Sequence, residues 1–308
     1  MALTSKLSAI GDAIRAKAGT TTKYTLANMP TAIANIPSGA TTLIGRWCEG
    51  TLTSVSTSTV NQVNSIANSL FGGTARVLEQ PNIKSISDEA LASATPLAVV
   101  TLNGVTSVGK KAFKGCTSLE SVSLNTCNSF AKETFSGCSK LQTVSINSCT
   151  SLSSLMFNGC TALKTLNAEK LTAIGNAFFD SFSNLTTVNT PNCTSVGSSA
   201  FNNCPSLKSV RLGTLSGGFP AAFSNCYSLT SIVFNCSSVL NLSDSSTFKN
   251  CYHLYGTVDA TYNPNGDKDC YIYVPDALVD SYKTTTGMTD TYWALFADQI
   301  KPLSEYTG

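Results

Sequence analysis

The twelve cysteines of this 308-residue sequence are its most chemically versatile side chains, because thiolates bind metals, form disulfides and act as nucleophiles. No two of them stand in a C-x-x-C spacing, and His253 is the single histidine. The ligands of a common zinc site are therefore not found close together in the sequence. We predict that the protein binds no metal.

Nine of the cysteines fall into two series with a spacing of about 22 residues. The first is Cys116, Cys138, Cys160, Cys204, Cys226 and Cys251, and the second is Cys127, Cys149 and Cys193. Neighbouring strands of a parallel sheet lie about 5 Å apart, which is close to bridging distance for a disulfide. However, Phe182 interrupts the first series, while Leu171 and Leu215 replace cysteine in the second, where Cys236 is one residue out of phase. We predict reduced thiols that act as small buried apolar groups. Cys48 and Cys270 lie outside both series, and we make no prediction of whether they are free or bonded.

The remaining candidates for chemistry are few. His253 stands beside Tyr252 and Tyr255, and no hydrolase or phosphate-binding motif accompanies it. Asp267 and Asp269 lie in a segment that lacks the spacing and the final glutamate of an EF-hand, so we expect a turn there. We predict no catalytic, metal or cofactor site and no enzyme activity.

Charge and hydropathy exclude two classes of partner. The formal charge is +2, and only 12% of the residues are charged. This balance gives no overall basic footprint for nucleic acid or for an anionic membrane. No apolar run of about 18 residues occurs, and the first residues lack the continuous apolar region of a signal peptide. We expect synthesis in a bacterial cytosol and no membrane span.

The cysteine spacing belongs to a longer repeat that also carries phenylalanine and leucine. Phenylalanine recurs at 113, 135, 157, 179, 201 and 223, and again three residues late at 248. Leucine follows six residues after each, and then apolar residues alternate with polar ones, as in Val122 and Leu124. Such alternation predicts a short strand with one buried face. The Gly or Asn two residues after six of the seven Phe, such as Gly115 or Asn203, fits a turn with positive φ.

A unit of 22 residues is too small to bury its own apolar face, so stacked copies must share one core. The predicted fold is an α+β repeat solenoid with a ladder of short parallel strands, closed by caps at both ends, and with a small N-terminal helical segment. The units "AFKGCTSLESVSL" and "AFNNCPSLKSVRL" resemble the BspA-type (treponemal) leucine-rich repeat family over roughly residues 64–258. The resemblance implies adhesion or binding without a shared catalytic activity.

The two ends of the chain depart from the repeat. We predict an N-terminal helical adaptor over 1–38, a cap with a degenerate first repeat over 39–84, repeats over 85–258 and a C-terminal cap over 259–308. Within the last segment we expect a strand ending at Val274 and a helix ending near Gly287. Trp293, Phe296 and Ile300 are expected to cover the last repeat.

The first 36 residues carry a second resemblance. Leu3, Leu7, Ile10 and Ile14 form one stripe on a short helix, which can fold back on the chain or serve in docking. The segment "LTSKLSAIGDAIRAKAG…" is similar to the N-termini of tail-fibre and tail-associated proteins of phages that infect Firmicutes. This resemblance implies a tail-protein partner or self-association through residues 1–38.

A candidate binding face is formed by the outward residues of the predicted strands, which alternate with the buried ones. These residues carry mainly hydroxyls and amides: Ser121, Ser123, Asn125, Thr143, Ser145, Asn147, Thr165, Asn167, Glu169, Asn189, Arg211 and Asn235. They are suited to hydrogen bonding with a glycan, but a merely solvated sheet face has the same composition. Few aromatic residues point outward in these repeats, the nearest being Tyr227, Tyr252 and Tyr255, which weakens the case for a sugar site.

The function predicted from these features is binding at a bacterial cell surface. The main hypothesis is a phage or prophage tail-associated receptor-binding protein, located on a virion tail or an extracellular surface. The alternative is a bacterial leucine-rich-repeat adhesin. In both cases the expected partner is a surface protein or glycan of a bacterial host, with no nucleic acid and no cofactor.

Overall fold

The computed structural model describes the following residues: 54–55, 77–79, 83–95, 97–215, 218–240, 242, 246–261, 263, 265–284 and 292–307. The predicted helical adaptor over 1–38 and Cys48 lie outside the described residues. The division of the chain into four segments stays a prediction.

The described residues form short strands joined by turns. In chain order they are β1 (Ser54–Val55), β2 (Val77–Glu79), β3 (Ser85–Ile86), β4 (Val99–Thr101), β5 (Ser107–Val108), β6 (Ser121–Ser123), β7 (Ser129–Phe130), β8 (Thr143–Ser145), β9 (Thr165–Asn167), β10 (Ala173–Ile174), β11 (Thr187–Thr190), β12 (Ser195–Val196), β13 (Ser209–Leu212), β14 (Ser231–Phe234), β15 (Tyr271–Val274) and β16 (Ile300–Pro302).

The main element is a parallel sheet of ten strands, here called the strand ladder, in the order β2-β4-β6-β8-β9-β11-β13-β14-β15-β16. Pairing is in register, so that Val122 faces Val144 and Val188 faces Val210 one coil further on. These inward residues are fully buried and their sequence neighbours are half-buried, as the alternating pattern predicts. The chain is therefore a parallel β solenoid with leucine-rich-repeat-like coils, as expected.

Behind the ladder, the repeated phenylalanines form one continuous stack, the phenylalanine column. All seven are at most 2% exposed. Ring centroids of successive members lie 5.3 to 6.2 Å apart, with interplanar angles of at most 24°. Such separations are typical of offset aromatic stacking, which stabilises each pair by about 0.5–1.5 kcal/mol beyond burial.

The first cysteine series, here called the thiol column, connects successive coils by hydrogen bonds. The Cys138 thiol donates to the Phe113 carbonyl oxygen at 3.1 Å, and the Cys160 thiol donates to that of Phe135 at 3.1 Å. Cys204, Cys226 and Cys251 bond in the same way to the phenylalanine carbonyl of the preceding coil. All eleven described cysteines are buried and free, which confirms the prediction of reduced structural thiols for the two series; Cys270, which was left open, is free as well.

The turns around the phenylalanine column use left-handed backbone at two positions per coil. Gly115, Gly137 and Asn203 have positive φ, as their sequence position predicted. A second set, two residues before each phenylalanine, includes Lys111 and Glu133 and was not predicted. This backbone lets alternate amides donate to the next coil, for example Phe113 N–H to the Thr134 oxygen at 2.9 Å. The coils are thus hydrogen-bonded on the side opposite the ladder as well.

One junction lacks these outer hydrogen bonds. The amide groups of Leu155, Phe157 and Gly159 donate to no residue of the next coil, whereas Phe135 and Phe179 do so at 3.0 and 2.8 Å. At this junction Phe182 replaces the thiol, and its ring packs edge-on against Phe179 at 5.4 Å. The larger ring needs more room than a thiol, which accounts for the longest separation in the phenylalanine column, 6.2 Å.

The C-terminal residues continue the ladder instead of ending it. A short helix α1 (Tyr252–Tyr255) precedes β15, and 3₁₀ turns occur at Asp276–Leu278, Tyr292–Gln299 and Leu303–Glu305. The expected strand ends at Val274 as predicted, and helix α2 (Val279–Lys283) ends before the predicted limit.

Several large side chains of this region are buried against the last coils. Trp293, Phe296 and Ile300 are at most 1% exposed, and the Trp293 indole N–H donates to the Leu240 oxygen at 2.6 Å. The Tyr282 hydroxyl accepts from the Leu240 N–H at 3.0 Å.

The open junction predicts unequal amide exchange. The Phe157 amide should exchange about fivefold faster than those of Phe135 and Phe179, because the loss of a hydrogen bond worth about 1 kcal/mol removes that much protection. Residue-resolved hydrogen exchange measures this directly. Equal protection at all three amides would mean that the coils are bonded here as elsewhere.

Thiol burial predicts a loss of stability at alkaline pH. Burial raises the pKa of the Cys160 thiol from 9.0 to about 12, so the folded protein resists its ionisation while the unfolded chain does not. The stabilising contribution is complete below pH 9 and is lost as the pH rises from 9 towards 12, at about 1.4 kcal/mol per pH unit for one thiol.

The variant Cys160→Ala should therefore show a shallower fall of the free energy of unfolding above pH 9, by one proton, in denaturant titrations. Cys160→Ser serves as the control, because it removes the same ionisation and keeps a hydroxyl donor for the Phe135 carbonyl. An unchanged slope in both variants would show that the thiol is not buried.

Candidate functional site: the outward face of the strand ladder

The outward side chains of the strand ladder form one continuous surface, here called the ladder face. Two columns lie on the strands themselves, because side chains alternate between the two faces of a sheet. The first is Ser121, Thr143, Thr165, Thr187, Ser209, Ser231 and Tyr271, and the second is Ser123, Ser145, Asn167, Asn189, Arg211, Val233, Tyr273 and Lys301. A third column follows the strand ends and contains Asn125, Asn147, Glu169 and Asn235.

The structure brings all twelve predicted site residues to this face. Glu169 and Asn235 are exposed, and the other ten are half-buried among their neighbours. None of the twelve belongs to the buried core. Their role in binding stays a prediction, but their arrangement in columns is that expected from the sequence.

Hydrogen bonds tie several of these side chains to each other. The Asn167 amide donates to the Ser145 hydroxyl at 3.4 Å, and the Asn147 amide donates to the Glu169 carboxylate at 3.3 Å. Both bonds join residues 22 positions apart, so they run from coil to coil. The polar lattice is therefore held in a defined geometry before any ligand arrives.

Three buried polar atoms of the ladder face have no hydrogen-bonding partner within the described residues. They are the Asn147 Oδ1, the Arg211 Nε and the Ser231 Oγ. A buried donor or acceptor without a partner costs about 1–3 kcal/mol. Because all three atoms are buried, a ligand or a water reaches them only if a neighbouring side chain moves.

The C-terminal end of the ladder face carries aromatic residues that the sequence analysis did not include. Tyr271 lies in register with Ser231, and Tyr273 lies in register with Val233. The Tyr306 ring stands 5.0 Å from that of Tyr273, and we call these three residues the tyrosine cluster. The Lys301 Nζ lies 5.6 Å from the centre of the Tyr271 ring. The alternation in "YIYV" already placed both strand tyrosines outward, but the segment had been assigned to a cap.

The environment of the tyrosine cluster is partly apolar. Partial burial raises the pKa of Tyr273, and the nearby Tyr271 and Glu305 add to the shift. Val233 is fully buried although it lies on the ladder face. Its neighbours in register, Arg211 and Tyr273, are large enough to cover it.

The three tyrosines considered from the sequence do not join this face. Tyr227 precedes β14 and stacks on Tyr252 of α1, with ring centroids 5.1 Å apart. Tyr255 packs against Phe296 at 5.3 Å. Tyr227 lies in a turn, and Tyr252 and Tyr255 lie in α1, so all three precede the strands and are away from the outward columns.

The other side chains considered for catalysis or metal binding make contacts that hold neighbouring segments together. The His253 Nδ1 lies 2.6 Å from the Asp269 carboxylate, which links α1 to the loop before β15. Asp267 lies in a turn, where the Asn263 side chain accepts its N–H at 3.0 Å. Within the described ranges, no three His, Cys, Asp or Glu side chains come together as metal ligands. No helix of the described part is long and apolar enough to cross a membrane.

Several solved structures match this chain, bacterial leucine-rich-repeat proteins among them. A leucine-rich-repeat protein of T. pallidum is 19% identical, with a TM-score of 0.37, and the match covers 61% of this chain and 79% of that one. A leucine-rich cell surface protein of Faecalibacterium prausnitzii is 19% identical, with a TM-score of 0.39 and coverages of 66% and 73%. The pneumococcal vaccine antigen PcpA is 11% identical, with a TM-score of 0.25 and coverages of 74% and 78%. No curated protein matches this chain significantly.

The family match covers most of the repeats and leaves out the first 40 residues, so the resemblance of residues 1–38 to phage tail proteins stays a prediction. The family model describes a BspA type leucine-rich repeat region and matches six copies, over residues 41–164 and 163–260. Because these ranges include more than half of the chain, the chain belongs to the BspA-type leucine-rich-repeat family.

Proposed function

We propose that this protein is a non-enzymatic binding protein of the bacterial leucine-rich-repeat adhesin type, and that it holds a partner on a bacterial cell surface through the ladder face. The observation that carries the proposal is the ladder face itself. It presents in-register columns of hydroxyls and amides, and three of its buried polar atoms have no partner within the described chain.

The size of the ladder face suits a macromolecule. Ten strands at a spacing of about 4.8 Å span roughly 43 Å, which exceeds the width of a typical small-molecule pocket. A specific protein interface buries about 800 Å² on each partner, an area that a surface of this length can supply. An elongated polymer or a folded surface protein is thus a better match than a metabolite.

A role without catalysis fits the surroundings of the reactive side chains. The thiols that chemistry would need are buried, and burial raises the pKa of Cys127 and Cys204 to about 12. His253 is paired with Asp269 beside the last coil. We propose that the protein binds its partner without transforming it.

A second candidate is a phage or prophage tail-associated protein that uses the same face to contact its host. The resemblance of residues 1–38 to tail-fibre proteins favours it. In that case those residues would dock to a tail protein or to a second copy of the chain, and neighbouring genes would encode tail components. Comparing the solution mass of the full chain with that of a chain lacking residues 1–38 tests the self-association: equal monomeric masses would remove it.

Binding to whole cells tests the ladder face. We expect the labelled full chain to bind at least one member of a panel of fixed Gram-positive and Gram-negative bacteria, measured by flow cytometry. The double variant Asn147→Ala/Asn167→Ala should bind about tenfold more weakly or worse, because two hydrogen-bonding amides at about 1 kcal/mol each are lost.

The matched control is Asn128→Ala/Asn158→Ala, which removes two exposed amides away from the ladder face. It should bind like the unaltered chain. The proposal fails if no cell type is bound, if the ladder variant binds normally, or if both double variants lose binding equally.

A further inference from the structure

The C-terminal end of the ladder face has a different chemical character from the rest. Over most rungs, the first two columns carry serine, threonine or asparagine. At β15 the same two positions are occupied by Tyr271 and Tyr273. Both rings are half-buried, and Tyr306 packs against the second at 5.0 Å, so the cluster is held in place by its own contacts.

Uncommitted polar groups stand next to these rings. Ser231 is the register partner of Tyr271, and its hydroxyl has no hydrogen-bonding partner within the described residues. Arg211 lies two rungs from Tyr273, across Val233, and its Nε is likewise without a partner in the described part of the chain. Arg211 also takes part in none of the ion pairs found among the described residues. A guanidinium in this position is available to bind a carboxylate.

The local charge favours an anionic group. Arg211 and Lys301 supply two positive charges on the ladder face at this end. Glu305, close enough to Tyr273 to raise its pKa, is an exposed acid nearby. The local charge is positive on the side of the tyrosine cluster where Arg211 lies. The middle rungs instead carry the acidic residue Glu169.

We propose that this end of the ladder face is a subsite for an acidic glycan, formed by Arg211, Tyr271, Tyr273 and Lys301. The inference rests on the proposed function and names the class of its ligand. A pyranose ring has apolar C–H faces that pack on tyrosine rings, and its hydroxyls bond to the hydroxyls and amides of the neighbouring rungs. The sugar carboxylate is bound by the Arg211 guanidinium, and Lys301 lies on the opposite side of the tyrosine rings.

The composition of the whole face favours a glycan over a polypeptide. The cores of protein–protein interfaces are depleted in serine and rely on buried apolar anchors. Here the same face carries an aromatic platform at β15 and, on the rungs from β6 to β11, serine, threonine and asparagine, which match the dense hydroxyls of a sugar chain. The tyrosine cluster supplies the apolar platform whose absence from the other repeats weakened the case for a sugar site.

The test uses the full chain on an array of uronate- and sialate-containing oligosaccharides, each printed beside its neutral parent sugar. We expect at least one acidic glycan to bind more strongly than its neutral parent. Arg211→Gln should reduce the acidic signal at least tenfold, to the level of the neutral parent. Tyr273→Ala should abolish both signals, while Tyr273→Phe should keep the ring and the binding.

Tyr227→Ala is the matched control, because it removes a tyrosine away from the ladder face and should leave the array signals unchanged. The glycan subsite is overturned if nothing on the array binds, if acidic and neutral sugars bind equally, or if Arg211→Gln has no effect.

The bound bacterial cells separate this inference from the proposed function. Periodate treatment, which cleaves vicinal diols of sugars, should abolish cell binding, and protease treatment should not. If protease alone removes a binding that still depends on Asn147 and Asn167, the partner is a protein: the proposed function stands and the glycan subsite falls.

Discussion

The structure depends on contacts between coils, because no coil can bury its own apolar side chains. Six of the seven phenylalanine carbonyls accept a hydrogen bond from an N–H of their own coil, and five accept one from the next coil's cysteine. The Phe113 oxygen, for example, bonds to the Cys116 N–H at 3.2 Å and to the Cys138 thiol at 3.1 Å. The stacked rings lie beside this line of bonds. Neighbouring coils thus stabilise each other both by hydrogen bonds and by apolar packing.

Because the contacts between coils are made by inward side chains and backbone groups, the outward residues of the ladder face can vary in type. Inward positions must be apolar to complete the shared core, whereas outward positions need only be compatible with a strand. Hydroxyls and amides fill most of them, and the same register that aligns the core also aligns these polar groups into columns. At β15 the outward positions are tyrosines without any change in the register. A binding surface can therefore be altered on this scaffold while the coils stay stacked.

The repeat made much of the fold predictable, since a buried phenylalanine and a buried thiol recur at equal spacing. The positive φ of Gly115 and Asn203 was predictable, because glycine and asparagine favour that backbone conformation. Lys111 and Glu133 also have positive φ, because the hydrogen bonds between coils require it, and their residue types give no sign of this. The sequence showed that Phe182 interrupts the thiol column. It did not show that the outer hydrogen bonds are missing at this junction, because that depends on how the rings pack. The tyrosine cluster was missed because the strands after residue 258 follow no 22-residue spacing, although "YIYV" alternates like the others.

Three substitutions at Cys138 test the shared core most directly, through the free energy of unfolding in denaturant. Cys138 is fully buried and donates to the Phe113 oxygen. Cys138→Ser should cost little and Cys138→Ala about 1–2 kcal/mol, because the first keeps a donor and the second leaves a small gap. Cys138→Asp should cost several kcal/mol, because it buries a carboxylate against a carbonyl oxygen or forces it to stay protonated. Equal, small losses for Asp and Ala would contradict the account, since they would mean that position 138 faces water.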